Sequence, residues 1–103
     1  MIMDDDRIIV HIDPDLEDLI PGYIENRYSD IRKIKDALAK GDYETIRILG
    51  HSMKGSGGGY GFDAITDIGR SIELSAKEHD DTAIKKLLED LEDYIKKVQI
   101  VYG

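Results

Sequence analysis

The segment from His51 to Gly61 combines one histidine, a lysine three residues later and five glycines. A neutral imidazole offers a ring-nitrogen lone pair and can act as a nucleophile without a separate base. Lys54, one helical turn along the chain, can offset negative charge with a charge-assisted hydrogen bond. These residue types and this spacing suit chemistry on an anionic group such as phosphoryl.

A helical wheel separates His51 from the apolar stripe of its segment. At about 100° per residue, His51 lies about 140° from Ile46 and Lys54 about 80° from it. Gly55 and Gly58 lie on the histidine side, where exposed glycine loses helix stability and gains no core contact, so the approach of another surface explains them. The apolar stripe consists of Ile46, Leu49, Met53, Gly57 and Tyr60.

The segment resembles the motif of the histidine-containing phosphotransfer (HPt) family: a histidine, a lysine three residues later, an adjacent glycine, small residues and a further glycine. The resemblance extends to residues 13–16, 19–23 and 41–43 and covers nearly the whole chain. Family members usually carry Ser or Ala at some of positions 57–59, and the glycines here predict fraying or a bend at the end of the helix. The motif residues that match are His51, Lys54, Gly55, Ser56 and Gly61.

The resemblance implies a phosphocarrier that exchanges a phosphoryl group between His51 and receiver-domain aspartates in a multistep two-component phosphorelay, with Lys54 stabilising the phosphate. The implied partners are a response-regulator receiver domain and a hybrid histidine kinase. No acidic cluster is apparent beside His51, so Mg²⁺ is expected from the partner, and the chain is expected to have no metal site, cofactor or autonomous kinase activity. The expected docking residues are Gly55, Gly58, Ile48 and Arg47.

Composition favours a small accessory module. The chain of 103 residues has a net charge of -8, which argues against nucleic acid or an anionic membrane as the main partner. Its acidic start differs from a signal peptide, it has no cysteine, and no apolar run approaches the ~18 residues that span a bilayer. We therefore expect a soluble, cytoplasmic protein; we also expect it to be a monomer.

Apolar residues at three- and four-residue spacing predict the helices that position the motif. A short helix over 14–20 and a break at Pro21 precede a main helix over 22–39, and Gly41 and Asp42 supply a stop and an N-cap. The motif helix is expected over 43–59, with a turn at Gly61. A third helix includes residues 65–76, and the same period runs from Ile84 to Val101 in a fourth.

These elements predict an all-α protein: an antiparallel four-helix bundle over residues 14–103, with an extra helical turn and a short N-terminal arm over 1–13. Ile8-Ile9-Val10 has β-propensity, but a single strand would have no partner, so we expect an extended arm. Gly50 and Gly57, on the core side of the motif helix, and Gly69 in the third helix predict close helix packing.

Three alternative interpretations are weaker. Residues 59–64 fit the dinucleotide pattern G-x-G-x-x-A, but no strand–turn–helix context surrounds them. His79-Asp80 could belong to a metal-dependent phosphohydrolase, yet the helices are too few and short, and a histidine at a helix end is more simply a favourable charge. A degenerate bundle that only binds a receiver or a kinase remains open, although the His51-Lys54-Gly55 set argues against it.

Overall fold

The computed structural model describes residues 7–103, so the first six residues of the predicted arm lie outside the described part. Four helices form a bundle, as predicted, and a small sheet and two 3-10 segments flank it. The elements in chain order are β1 (Ile8–Ile12), a 3-10 helix (Pro14–Leu19), α1 (Ile20–Ala39), α2 (Tyr43–Ser56), a 3-10 turn (Gly58–Tyr60), α3 (Asp63–Lys77), α4 (Asp81–Lys97) and β2 (Val98–Tyr102).

Local sequence signals set most helix starts. The Asp42 and Asp80 side chains accept hydrogen bonds from backbone amides of the first turns of α2 and α4. Gly41 has a φ of 69° between α1 and α2, a left-handed conformation that favours glycine. The predicted break at Pro21 is displaced, because α1 begins at Ile20 and Pro21 occupies its first turn, where a missing N–H costs no helical hydrogen bond.

The core lies between the four helices and is built from aliphatic side chains of each. Ile34, Ile46, Ile72 and Leu91 are fully buried, one from each of α1 to α4. Each comes from the apolar stripe of its helix, so burial of these stripes drives the packing of the bundle.

The contact between α2 and α3 is unusually close because glycines face each other. A Cβ atom on Gly50 would lie 2.8 Å from the Glu73 nitrogen, and one on Gly69 would lie 2.6 Å from the Lys54 nitrogen. Both distances are shorter than the contacts that real Cβ atoms make, so any side chain at Gly50 or Gly69 would push the two helices apart. The predicted close packing at Gly50 and Gly69 is therefore confirmed, and it brings the backbone of α3 directly beside the motif.

The motif helix ends at Ser56, three residues before the predicted end at position 59. A Cβ atom on Gly57 would lie 2.6 Å from the Thr66 nitrogen, so α3 closes over the end of α2. The Thr66 hydroxyl donates to the Lys54 carbonyl oxygen at 3.1 Å and accepts from the Gly58 amide at 2.8 Å. The Thr66 side chain therefore satisfies a carbonyl group in the last turn of α2 and an amide group of the 3-10 turn that follows.

Both chain-terminal predictions need correction. Strand β1 pairs in parallel with β2, from Ile8 opposite Val98 to Ile12 opposite Tyr102, so the arm has a partner strand. The fourth helix ends at Lys97 and does not continue to Val101. Residues 98–102 alternate between half-buried and exposed, which is the two-residue period of a strand.

Candidate functional site

His51 lies on the second half of α2, with 63% of its side chain exposed. Its Nδ1 atom is 2.9 Å from Oε2 of Glu73, a residue of α3. The other ring nitrogen, Nε2, has no hydrogen bond within residues 7–103. The histidine is thus fixed through one nitrogen and open to solvent through the other.

Glu73 bridges the two motif side chains. Its second oxygen, Oε1, accepts a hydrogen bond from Lys54 Nζ at 2.8 Å, and only 8% of its side chain is exposed. The hydrogen bond from Lys54 and then that from His51 lower the pKa of Glu73 from 4.5 to about 2, against the opposing effect of burial. Glu73 is therefore a carboxylate throughout the neutral pH range.

The charge state of Glu73 determines the tautomer of His51. An ionised carboxylate can only accept hydrogen bonds, so Nδ1 of the imidazole must be the donor and must carry the proton. In a neutral ring the lone pair is then on Nε2. The exposed nitrogen is consequently the nucleophilic one.

Sequence reasoning missed Glu73. Its position in α3 is one residue beyond the buried Ile72 and four beyond the buried Gly69, so it lies on the apolar face of an amphipathic helix. An acidic residue on such a face is rarely buried without a partner, and this was the available signal. The partners themselves, His51 and Lys54, lie 22 and 19 residues away in the chain and were not visible in the local pattern.

The predicted docking residues differ in how exposed they are and in the contacts that they make. Apart from the adjoining backbone, no atom lies within 4 Å of a Cβ position on Gly55 or Gly59, and the nearest to one on Gly58 is Asp63 Oδ1 at 3.5 Å. Ile48 is 52% exposed and presents an apolar side chain to solvent. Arg47 forms a 2.6 Å ion pair with Glu44 on the same helix. Gly55 and Gly58 thus form a bare strip without side chains, but Gly58 belongs to the 3-10 turn beside α3 and not to the helix on which it was predicted.

The other histidines lie apart from this arrangement. His11 is exposed on β1. His79 lies just after the end of α3, as predicted, and its φ is 53°. Its ring also stacks on the Tyr43 ring, with 4.0 Å between the ring centroids. Across the described part of the chain, no three histidine, cysteine or acidic side chains come together as metal ligands would.

His51 projects from α2 with most of its side chain exposed. A groove of about 510 Å³ lies elsewhere, between α1 and α4, with Leu38 and Leu88 among its lining residues. An exposed nucleophile on a convex helix suits a reaction in which a second protein completes the site.

Comparison with known proteins identifies one family. The model described as "Hpt domain" matches residues 18–99, from the 3-10 helix to the start of β2. Neither the curated proteins nor the solved structures provide a match. Among the helices within residues 7–103, none has the length and apolar character required to cross a membrane.

Proposed function

This chain belongs to the Hpt domain family, and we propose that it accepts and donates a phosphoryl group at Nε2 of His51. Hpt domains act in histidine phosphotransfer within phosphorelays, as phosphocarriers and not as enzymes. The hydrogen bond between His51 Nδ1 and Glu73 carries the proposal, because it leaves the lone pair of Nε2 facing solvent. This is the geometry that an in-line attack on phosphorus requires.

The transfer step balances without an external base. The Nε2 lone pair of His51 attacks the phosphorus of an aspartyl phosphate on a receiver domain, the N–P bond forms, and the P–O bond to the aspartate breaks. The aspartate leaves as a carboxylate, and no proton needs to move. The ring, which retains its Nδ1 proton, becomes cationic, and the negative charge of Glu73 stabilises it.

Lys54 and Glu73 have different roles in this step. The Lys54 side chain is one-third exposed, so its ammonium group can turn from Glu73 towards the incoming phosphoryl oxygens and offset their charge. Glu73 is a positioning residue, since it fixes the ring orientation and the tautomer of His51 without contacting the phosphoryl group. The surface that approaches would rest on the bare strip at Gly55 and Gly58 and on Ile48 and Arg47.

Mg²⁺ belongs to the partner in this proposal. Both carboxylate oxygens of Glu73 accept hydrogen bonds, from His51 and from Lys54, and within residues 7–103 no three histidine, cysteine or acidic side chains come together beside it as metal ligands would. A receiver domain of a response regulator or a hybrid histidine kinase would bring both the metal ion and the reacting aspartate. The proposal includes a cytoplasmic location, with which the lack of cysteine is compatible.

Phosphotransfer from a labelled receiver domain tests the proposal. With Mg²⁺ present, the wild-type chain should gain an acid-labile, base-stable label, and His51→Gln should gain none, because it has no nucleophilic nitrogen. His11→Gln and His79→Gln are matched controls and should label like the wild type. Label that persists in His51→Gln would refute the assignment.

The same assay separates a carrier from the alternatives. ATP and Mg²⁺ alone should leave the chain unlabelled, and a second, unphosphorylated receiver should remove the label from the phosphorylated chain. Labelling from ATP alone would identify an autonomous kinase. Tight receiver binding with no transfer in either direction would identify a binding module.

A further inference from the structure

A phosphoryl group on His51 would carry more negative charge than Lys54 can offset. Its oxygens carry a charge of about -2 at neutral pH, and Lys54 supplies a single positive charge. Glu73 is itself negative and contacts the imidazole, so it adds no positive charge to this balance. A second cation within reach of the phosphoryl oxygens would complete the charge balance of the phosphorylated chain.

Arg47 lies four residues before His51 on α2. Side chains at this spacing are neighbours on a helix surface, with Cβ atoms about 5–6 Å apart. Side chains on a helix also lean towards its N-terminus, so the imidazole lies over the turn that carries Arg47. The hydrogen bond to Glu44 is the main cause that raises the pKa of Arg47, and the charge of Glu73 adds to it. The guanidinium is thus within electrostatic reach of the carboxylate that contacts His51.

The present partner of Arg47 is one that a phosphoryl group can replace. Nη2 and Nε of Arg47 donate to the two carboxylate oxygens of Glu44 at 2.6 and 3.1 Å. The two side chains are 34% and 68% exposed, so water competes with this pair and screens its charges. A phosphoryl group accepts the same two parallel hydrogen bonds from a guanidinium and carries about twice the charge of a carboxylate.

We propose that Arg47 is a second phosphate-binding residue, which leaves Glu44 and contacts the phosphoryl oxygens on His51, an inference that rests on the function proposed above. Arg47 approaches the group from the N-terminal side of His51 along α2, and Lys54 approaches it from the C-terminal side. Glu44 competes with the phosphoryl group for the guanidinium and so limits how strongly the phosphorylated chain is favoured. This role exceeds a docking contact, because Arg47 touches the transferred group itself.

The phosphotransfer equilibrium separates phosphate binding from docking. A docking contact changes the rate at which a receiver domain and this chain exchange the group, but it leaves the equilibrium between the separate proteins unchanged. A contact with the phosphoryl oxygens stabilises the phosphorylated chain and shifts the equilibrium towards it. A labelled receiver, Mg²⁺ and the chain are mixed at concentrations where no complex persists, and the label on each protein is measured once the ratio is constant. Arg47→Ala should lower the ratio of labelled chain to labelled receiver about fivefold.

Glu44→Gln tests the competition. It frees Arg47 and should raise the same ratio about twofold, whereas in the Arg47→Ala background it should have little effect, because no guanidinium remains to compete for. An equal effect of Glu44→Gln in both backgrounds would show that Glu44 acts through its own charge and would overturn the competition.

Lys96→Ala and Glu92→Gln are the matched controls, since they change the same charges in another exposed ion pair, on α4. Both should leave the ratio at the wild-type value. An unchanged ratio in Arg47→Ala, whatever the rate of transfer, overturns the proposal and leaves Arg47 with a docking contact alone. A wild-type chain that takes up no label overturns the proposed function and this inference with it, so the two failures are distinguishable.

Discussion

Helix α2 presents glycines of two kinds on two of its sides. On the side of α3, Gly50 and Gly57, the residue at the end of α2, leave room for the backbone of α3. A Cβ atom on Gly50 would lie 2.8 Å from the Glu73 backbone nitrogen, and one on Gly57 would lie 2.6 Å from that of Thr66. On the solvent side, a Cβ position on Gly55 has no atom within 4 Å apart from the adjoining backbone. The same residue type therefore serves internal packing on one side and, in our proposal, the approach of a partner on the other.

The packed side also determines the chemistry of the open side. Gly50 immediately precedes His51, and the space above it is occupied by the backbone nitrogen of Glu73. Because α3 lies this close, the short carboxylate of Glu73 reaches both the histidine and Lys54. A wider separation of the helices would break the contacts that fix the tautomer.

Replacing Gly50 should have the largest effect. In Gly50→Ala the added methyl group would collide with backbone atoms of α3, so we expect the free energy of unfolding to fall by about 1–3 kcal/mol even though alanine is the better helix former. Phosphotransfer should fall as well, because α3 would move away from His51. Urea unfolding and the receiver assay measure the two effects.

Gly55→Ala is the matched control for this substitution. It adds the same methyl group on the open side of the same helix, and the free energy of unfolding should be unchanged or higher by up to about 1 kcal/mol. Equal destabilisation by Gly50→Ala and Gly55→Ala would show that the two sides do not differ as described.

A bulky residue on the open side should affect transfer and not folding. Gly55→Gln should retain wild-type stability, but its side chain would occupy the surface where we expect the receiver, and the transfer rate should fall at least tenfold, or about 1.4 kcal/mol in activation free energy. Gly22→Gln, at another open glycine on α1, is the control and should transfer normally. A Gly55→Gln variant that transfers at the wild-type rate would exclude the strip from the docking surface.

The sequence predicted what local patterns determine. The N-cap at Asp42, the turn at Gly61 and the outward position of His51 each depend on a few neighbouring residues, and each prediction agrees with the structure. The strand β2 was missed because Val98 and Val101 also fit helical spacing, and because its partner Ile8 lies 90 residues away. Glu73 was missed for the same reason, since its role depends on a contact between two helices.

Removing Lys54 should have a moderate effect. Lys54→Ala deletes the group that we expect to offset phosphoryl charge, but His51 keeps its nucleophilic nitrogen, so transfer should slow about tenfold and not stop. The substitution also removes the main cause of the lowered Glu73 pKa. Lys86→Ala, which removes an exposed lysine paired with Asp90 on α4, is the control and should transfer normally. Complete loss of transfer in Lys54→Ala would give Lys54 a role beyond charge compensation.

The smallest expected effect is the change in the free energy of unfolding at low pH. It tests whether Glu73, as a carboxylate, connects α3 on the packed side of α2 to His51 and Lys54. Its pKa of about 2 in the folded chain lies below the usual 4.5, so folding favours the ionised form. Its contribution should be complete above pH 4.5 and should disappear as the pH falls towards 2. Between pH 6 and pH 3 the wild type should therefore lose more unfolding free energy than Glu73→Gln.

Glu92→Gln provides the comparison for this measurement. The Glu92 carboxyl also has a lowered pKa through its hydrogen bond from Lys96, but its side chain is 38% exposed, against 8% for Glu73. Solvent screening weakens an exposed pair, so Glu92→Gln should follow the acid profile of the wild type closely. If Glu73→Gln follows it equally closely, the carboxylate does not hold α3 to the motif, and the tautomer assigned to His51 loses its support.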